Sequence, residues 1–237
     1  MLLRMFRPLA DKVTDGKIAV TQEILDSESF SGPGRVIANS SGTNYLNPSG
    51  VRKFRGLDLH IATVLSKDYS WNGLERMFAC LEEWKISNPK LTIHFSVIGP
   101  VSVYRGRLPA GVAVSYEGFL SPNEISKTLA RAHVAFSTMG LWKRKLSEAC
   151  PLKSRLYIDL GIPFIAGYLD PDLSGGEPFV MSVPNDESVV SWDAVESFLL
   201  HISEDEGRVR NAFVEARRAI SPDNKALELT KFLASIG

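Results

Sequence analysis

Cysteine is nearly absent: Cys80 and Cys150 stand alone in 237 residues, 70 positions apart and without CxxC or Cys/His ligand spacing. That excludes a disulfide scaffold and reads as two reduced thiols in a cytosolic protein. Net charge is absent as well, with 27 Lys+Arg against 27 Asp+Glu. No global basic field draws the chain to nucleic acid, and none is expected as a partner. No stretch reaches about 18 apolar residues, so no bilayer span is expected. The opening MLLRMFRPLADKVTDG is broken by Arg4, Arg7 and Pro8 and is not read as a secretory signal. No HExxH, GxSxG or P-loop lysine motif occurs. The histidines, His60, His94, His133 and His201, lie far apart in mostly apolar runs and read as core or surface residues.

What is present is alternation. LHIATVL (59–65), LTIHFSVIG (91–99), VAVSYEGF (112–119), HVAFST (133–138) and IPFIAG (162–167) read as strands, with PFVMSVP (178–184) as an edge strand. Helical spacing occupies 73–86, 121–131, 151–161, 189–202, 204–219 and 222–237, and Ser121-Pro122-Asn123-Glu124 carries a helix-start signature. Strands alternating with helices predict an α/β fold, a Rossmann-like parallel sheet with helices on both faces. Ligands of such sheets bind beyond the carboxyl ends of the strands. The first 57 residues differ, with short strands at KIAVT (17–21) and RVIAN (35–39) and a Ser/Gly/Asn-rich join at 40–50. Strands so few are not stable alone, so 1–57 reads as the tail of a preceding domain plus a linker.

The segment Leu141–Gly161 is the richest. Lys143, Arg144, Lys145, Lys153 and Arg155 place five cations in a 13-residue window, between a strand end and a helix start at Pro151. Free N–H groups at a helix start suit a phosphate, and nearby cations add charge. A solvated basic helix face is the other reading. Glu148 is the single acid in that window. It either accepts from sugar hydroxyls or pairs with Lys145 or Lys153.

Glu148-Ala-Cys-Pro-Leu-Lys-Ser-Arg-Leu-Tyr157, followed by Gly161-Ile-Pro-Phe-Ile165, resembles the E-A-x-P-L-K-x-x-E-Y-x-x-x-G-x-P-V-I stretch of retaining GT-B glycosyltransferases, more narrowly family 4 ("glycosyl transferases group 1"). Trp71-Asn72-Gly73-Leu74-Glu75-Arg76 is similar to that family's W-H-G-x-x-R box. Glu117-Gly118-Phe119 with Ser121–His133, and Val20-Thr21-Gln22-Glu23 with Val36-Ile37-Ala38-Asn39, resemble two further boxes, in the family's order.

The resemblance implies one half of a GT-B fold. Residues 58–220 would be the nucleotide-sugar donor-binding domain, 1–57 a remnant of the acceptor domain plus linker, and 221–237 a helix crossing back onto the missing domain. It implies Glu148 against the donor sugar and phosphate cations among Lys67, Arg76, Lys145 and Lys153, with Ser137, Thr138 and Gly140 where the backbone approaches sugar and phosphate. Leu156 falls where the family's ribose-binding glutamate stands, and Asn72 where its box has histidine; leucine cannot accept from ribose hydroxyls. The implied reaction is transfer of a sugar from a nucleotide-sugar to a glycan or lipid-linked acceptor with retention, without a metal. It would serve polysaccharide biosynthesis in the cytoplasm or at the inner membrane surface. The chain would then be either truncated or a subunit whose implied partner, a separate chain, carries the N-terminal half. The alternative is a non-catalytic, degenerate nucleotide-sugar-binding subunit. In either case Leu227, Leu229, Phe232 and Leu233 are expected to form a partly exposed apolar stripe on the last helix.

Overall fold

The run Asp58–Val64, DLHIATV, buries residues on both faces, the pattern of a central strand in a sheet covered on both sides. In the computed structural model, which describes residues 14–27, 31–42, 51–67, 69–100 and 108–237, it sits near the middle of a six-stranded sheet. In chain order the elements begin with β1 (Lys17–Ala19), α1 (Gln22–Asp26), β2 (Gly34–Val36) and β3 (Asp58–Val64). Next come α2 (Leu74–Ser87), β4 (Thr92–Ile98), β5 (Ala113–Gly118), α3 (Pro122–Leu129) and β6 (Val134–Phe136). The chain continues with α4 (Leu152–Leu160), β7 (Phe164–Ala166), β8 (Val180–Ser182), α5 (Trp192–Glu204), α6 (Glu206–Ala219) and α7 (Pro222–Ile236). Single 3-10 turns occupy Ser70–Asn72 and Leu141–Arg144.

The sheet runs β5-β4-β3-β6-β7-β8, with every pairing parallel. The order reverses between β3 and β6, which makes their carboxyl ends the place where a ligand crevice opens. Two apolar layers cover the sheet. On one face Leu59, Ile61, Phe95 and Phe136 pack with Met77, Leu81 and Trp84 of α2 and Trp192 and Leu199 of α5. On the other, Ala62, Ala135 and Phe164 pack with Leu129, Tyr157, Leu160, Val209 and Phe213 from α3, α4 and α6. The parallel α/β sheet read from the alternation is therefore the observed one. The expected start of α3 is observed too: Ser121 caps it, with Glu124 reaching back to the Ser121 N–H at 2.8 Å.

β1 and β2 form their own two-stranded parallel sheet with α1 between them in the chain. Specific bonds tie this segment to the main body. The Ser41 N–H donates to Ile220 O at 2.8 Å, and a Cβ on Gly16 would stand 2.9 Å from Phe232 Cζ in α7. That contact corrects the expected apolar stripe. Leu227, Leu229 and Leu233 are exposed at 50%, 36% and 53%, whereas Phe232 is buried at 8% because it faces the Gly16 segment. The N-terminal sixteen-residue run read from the sequence lies mostly outside the described residues, as does most of the 40–50 join. No helix among the described residues is long and apolar enough to cross a membrane.

Candidate functional site

The crevice is built by two backbone segments that meet at the carboxyl ends of β3 and β6. The Met139 N–H donates to Asn72 O at 3.0 Å and the Gly140 N–H to Trp71 O at 3.2 Å. Gly73 has φ +78°, and a Cβ there would lie 2.5 Å from the Met139 carbonyl carbon, so only glycine fits. Gly140 is equally confined, since its Cβ would meet Ser70 O at 2.9 Å and the Gly73 Cα at 3.0 Å. Behind this junction the Tyr157 hydroxyl accepts from the Val64 N–H at 3.0 Å and donates to Phe136 O at 3.1 Å. The two strand ends are thereby held at a fixed separation.

In front of it opens a cavity of about 530 Å³, lined by Val64 and Ser66, Trp71 and Asn72, the α4 start at Cys150–Lys153, Leu156 and the linker at Asn39, Ser40 and Gly42. Pro151 is the N-cap of α4, and no side chain among the described residues caps the helix, which leaves its first N–H groups open to a ligand. Lys153 stands in that first turn with its side chain buried. Its Nζ donates to Asn72 Oδ1 at 3.1 Å, and the Asn72 amide is in turn held by donating to Lys67 O at 2.9 Å. Burial pushes the Lys153 ammonium down to about 7. A cation at a helix N-terminus also opposes the helix dipole. An anion in the cavity would relieve both penalties.

Glu148 is not among the residues lining that cavity; it lines a second one of about 250 Å³ with Tyr168, Leu169 and Asp170. Its carboxylate does not pair with Lys145 or Lys153 among the described ion pairs. Instead it accepts from the Glu23 N–H at 3.0 Å, and the Glu23 carboxylate accepts from the Glu148 N–H at 2.9 Å and from the Ser147 N–H and hydroxyl. Burial works to raise the Glu23 carboxyl, but the Ser147 hydroxyl and the Glu148 and Ser147 N–H groups outweigh it and hold the group below its ordinary value. Thr21, in the same Val-Thr-Gln-Glu box, caps α1 by accepting from the Ile24 N–H. The box thus clasps the N-terminal segment to the loop that carries Glu148.

The five-cation window does not form one patch. Arg155 also lines the cavity, but its guanidinium is committed to a buried network. Its Nη1 donates to Asp170 Oδ2 at 2.7 Å and its Nη2 to Asp170 Oδ1, Asp172 Oδ2 and Cys150 Sγ, while its Nε donates to Asn39 O at 2.8 Å. Lys225 of α7 also reaches Asp172. Lys143 pairs with Glu75 of α2. Arg144 and Lys145 are exposed, Lys145 with a left-handed φ of 56°. Sequence reasoning missed the Arg155 network because its acids follow β7; the Asp170-Pro-Asp172 pair one strand later was the available signal. Burial pushes the Cys150 thiol up to about 11, with Arg155 partly offsetting it, so the thiol is protonated rather than nucleophilic.

The other sequence-predicted residues fall as follows. Arg76 is buried, and its Nε and Nη1 donate to Ser188 O at 2.8 Å and Met139 O at 3.1 Å; Nη2 has no hydrogen-bond partner among the described residues and lies 3.8 Å from Asp186 Oδ1. It braces the junction through the Met139 carbonyl. Ser137 is buried, its hydroxyl 2.8 Å from that of Tyr168. Thr138 is buried, and its hydroxyl has no partner among the described residues. Lys67 is exposed beside the cavity rim, over the Tyr69 ring. Leu156 is buried and forms part of the cavity wall. Lys153, Asn72, Leu156 and the α4 start are thus brought together, whereas Arg76, Ser137 and Lys145 are not among the residues lining the cavity.

No protein-family model matches the chain, and no curated protein matches it either. Solved structures do. The GtfA/B complex matches at TM-score 0.62 and 16% identity over 98% of this chain and 47% of that one. The pneumococcal O-GlcNAc transferase GtfA in complex with UDP and GlcNAc matches at 0.53 and 13%, over 96% and 46%. The lipopolysaccharide outer core galactosyltransferase WaaB, in its apo form, matches at 0.53 and 13%, over 94% and 62%. The chain therefore has the fold of one half of a GT-B glycosyltransferase, and it spans about half the length of the solved structures it matches.

Proposed function

We propose that this chain is the donor-binding half of a retaining, family-4-like GT-B glycosyltransferase, taking a sugar from a nucleotide-sugar to a glycan or lipid-linked acceptor. The observation that carries the reading is Lys153: a buried cation without a carboxylate partner among the described ion pairs, in the uncapped first turn of α4, facing a cavity at the carboxyl end of β3. That arrangement suits a diphosphate leaving group, whose charge it stabilises as the bond to the anomeric carbon breaks. Glu148, two residues before Cys150 of that cavity's lining, would orient the sugar. Residues 58–220 are then the donor domain, 1–57 the end of an acceptor domain with its linker, and 221–237 the returning helix. The acceptor half would come from the rest of a longer protein or from a second chain, since both substrates must be held in near-attack geometry.

A second reading, a nucleotide-sugar-binding subunit without activity, is favoured by two observations. Leu156, in the place of the ribose-binding glutamate, is apolar cavity wall. The Glu148 carboxylate already accepts from the Glu23 N–H. A thermal-shift screen against UDP-, GDP-, ADP-, CMP- and dTDP-sugars tests the donor site, because a ligand at 100 times its Kd adds about 2.7 kcal/mol of stability. One nucleotide should raise Tm, and Lys153→Ala and Glu148→Gln should each remove the rise. Binding left intact by both substitutions would sink the proposal. Binding without transfer, once an acceptor half is supplied, would establish the second reading.

A further inference from the structure

We infer that Asp58, His60 and His94 form a binding site for a zinc-like divalent transition-metal ion at the amino end of the sheet. Strand geometry brings the three together. Asp58 and His60 are two residues apart on β3 and so share a face, and the parallel register sets His60 directly beside His94 of β4. Asp58 Oδ2 lies 3.1 Å from His60 Nε2, and Asp58 Oδ1 lies 3.2 Å from His94 Nε2. The two imidazoles stack with centroids 4.5 Å apart. One ligand atom from each of the three residues lies within 4.8 Å of the other two. A tetrahedral ion with bonds of about 2.0–2.1 Å needs ligand atoms roughly 3.4 Å apart, so side-chain rotation alone closes the site. The sequence hid it, because residues 58–60 and 94 become neighbours only through the β3–β4 register.

The surroundings fit an open surface site. A cavity of about 290 Å³ lies alongside, lined by His60, His94, Ser96, Ser115, Glu117 and Arg131 among others. It leaves room for water at the remaining coordination positions. Behind the pair, the His60 N–H donates to His133 Nδ1 at 3.0 Å and the His133 ring meets that of His60 edge-on, which fixes the backbone beneath the ligands. Two imidazoles and a carboxylate select zinc, cobalt, nickel or copper over magnesium or calcium, which prefer oxygen-only sets. A competing cluster, Cys150 with Asp170 and Asp172, is already filled by a cation: the Arg155 guanidinium bonds to all three.

The site is remote from the crevice. Six residue steps along β3 separate Asp58 from Val64, roughly 20 Å at strand rise. A metal here joins β3 to β4 and takes no part in sugar transfer. The test uses the full chain without a histidine tag, titrated with Zn(II) alone by calorimetry and with Co(II) by visible absorption. Expected are one ion per chain, a raised Tm, and cobalt absorption bands of low-coordinate N/O ligation. His60→Gln and His94→Gln should each weaken the ion by at least tenfold, about the minimum that loss of even an outer-shell partner costs. Both side chains are partly exposed, so the apo variants should melt within a degree or two of the parent, which separates ligand loss from misfolding. No binding, or binding unmoved by either substitution, would overturn the assignment.

Discussion

Replacing Lys153 by methionine separates a lysine held for binding from one held for packing. Methionine keeps the length of the side chain and removes the charge. Burial lowers the Lys153 ammonium from its ordinary 10.5 to about 7. At 1.36 kcal/mol per unit, the buried charge costs the native state on the order of 5 kcal/mol at pH 7 and below, as an upper bound. Losing the bond to Asn72 Oδ1 gives back about 1–3 kcal/mol of that. Lys153→Met should therefore stabilise the free protein by roughly 2–4 kcal/mol at pH 7, which for a chain of this size is a rise in Tm of several degrees. The dependence on pH has a definite sign. Between about pH 7 and 10.5 the unfolded lysine holds a proton that the native one has released, so wild-type stability rises through that window. The advantage of the variant must shrink over the same window. The assay is urea unfolding at pH 6, 7, 9 and 10, with nucleotide-sugar binding followed by calorimetry. A variant that is more stable yet no longer binds is the expected pair of results. A variant less stable than wild type at pH 7, or a gap that stays constant from pH 7 to 10, would refute the reasoning.

Two further outcomes follow from buried charge and from the clasp. Arg155→Met leaves the buried Asp170 without its cation and should cost about 3–5 kcal/mol at pH 7 in urea unfolding. Burial already raises the Asp170 carboxyl, against the pull of Arg155, so the deficit should narrow as pH falls and the orphaned acid takes up a proton; a deficit equal at pH 7 and pH 5 would contradict this. Glu23→Gln weakens the bonds to Ser147 and Glu148 and should cost about 1 kcal/mol at pH 7. Because the Glu23 carboxyl is held below its ordinary value, its contribution is complete above about pH 4.5 and is lost as pH falls through the lowered folded value, so melting curves of variant and parent should converge in acid.

The elements legible in the sequence were those whose own residues decide them. LHIATVL is apolar on both faces because helices cover both sides of β3, and a buried strand shows that pattern wherever its neighbours are. Ser121-Pro122-Asn123-Glu124 starts a helix by bonds within four residues. The one-turn α1 and the two 3-10 turns were not legible, being too short for any periodicity. Phe232 looked like its exposed neighbours on α7 because only the fold brings Gly16 against it.

The candidate site divides along the same line. The start of α4 could be read from the chain, and so could the density of cations around it, but the direction of each cation could not. Arg155 and Lys153 are two residues apart on one helical turn, yet the first turns toward acids 15 and 17 residues further on. The second turns toward an asparagine 81 residues earlier. Glu148 is held by a backbone N–H 125 positions away. A charged side chain goes where burial and a partner together cost least, and that comparison involves residues the local window does not contain. Arg155 found two carboxylates and became structural. Lys153 found one neutral amide, and a buried cation so poorly matched in the free protein would gain its full partner from the anion proposed to enter the cavity.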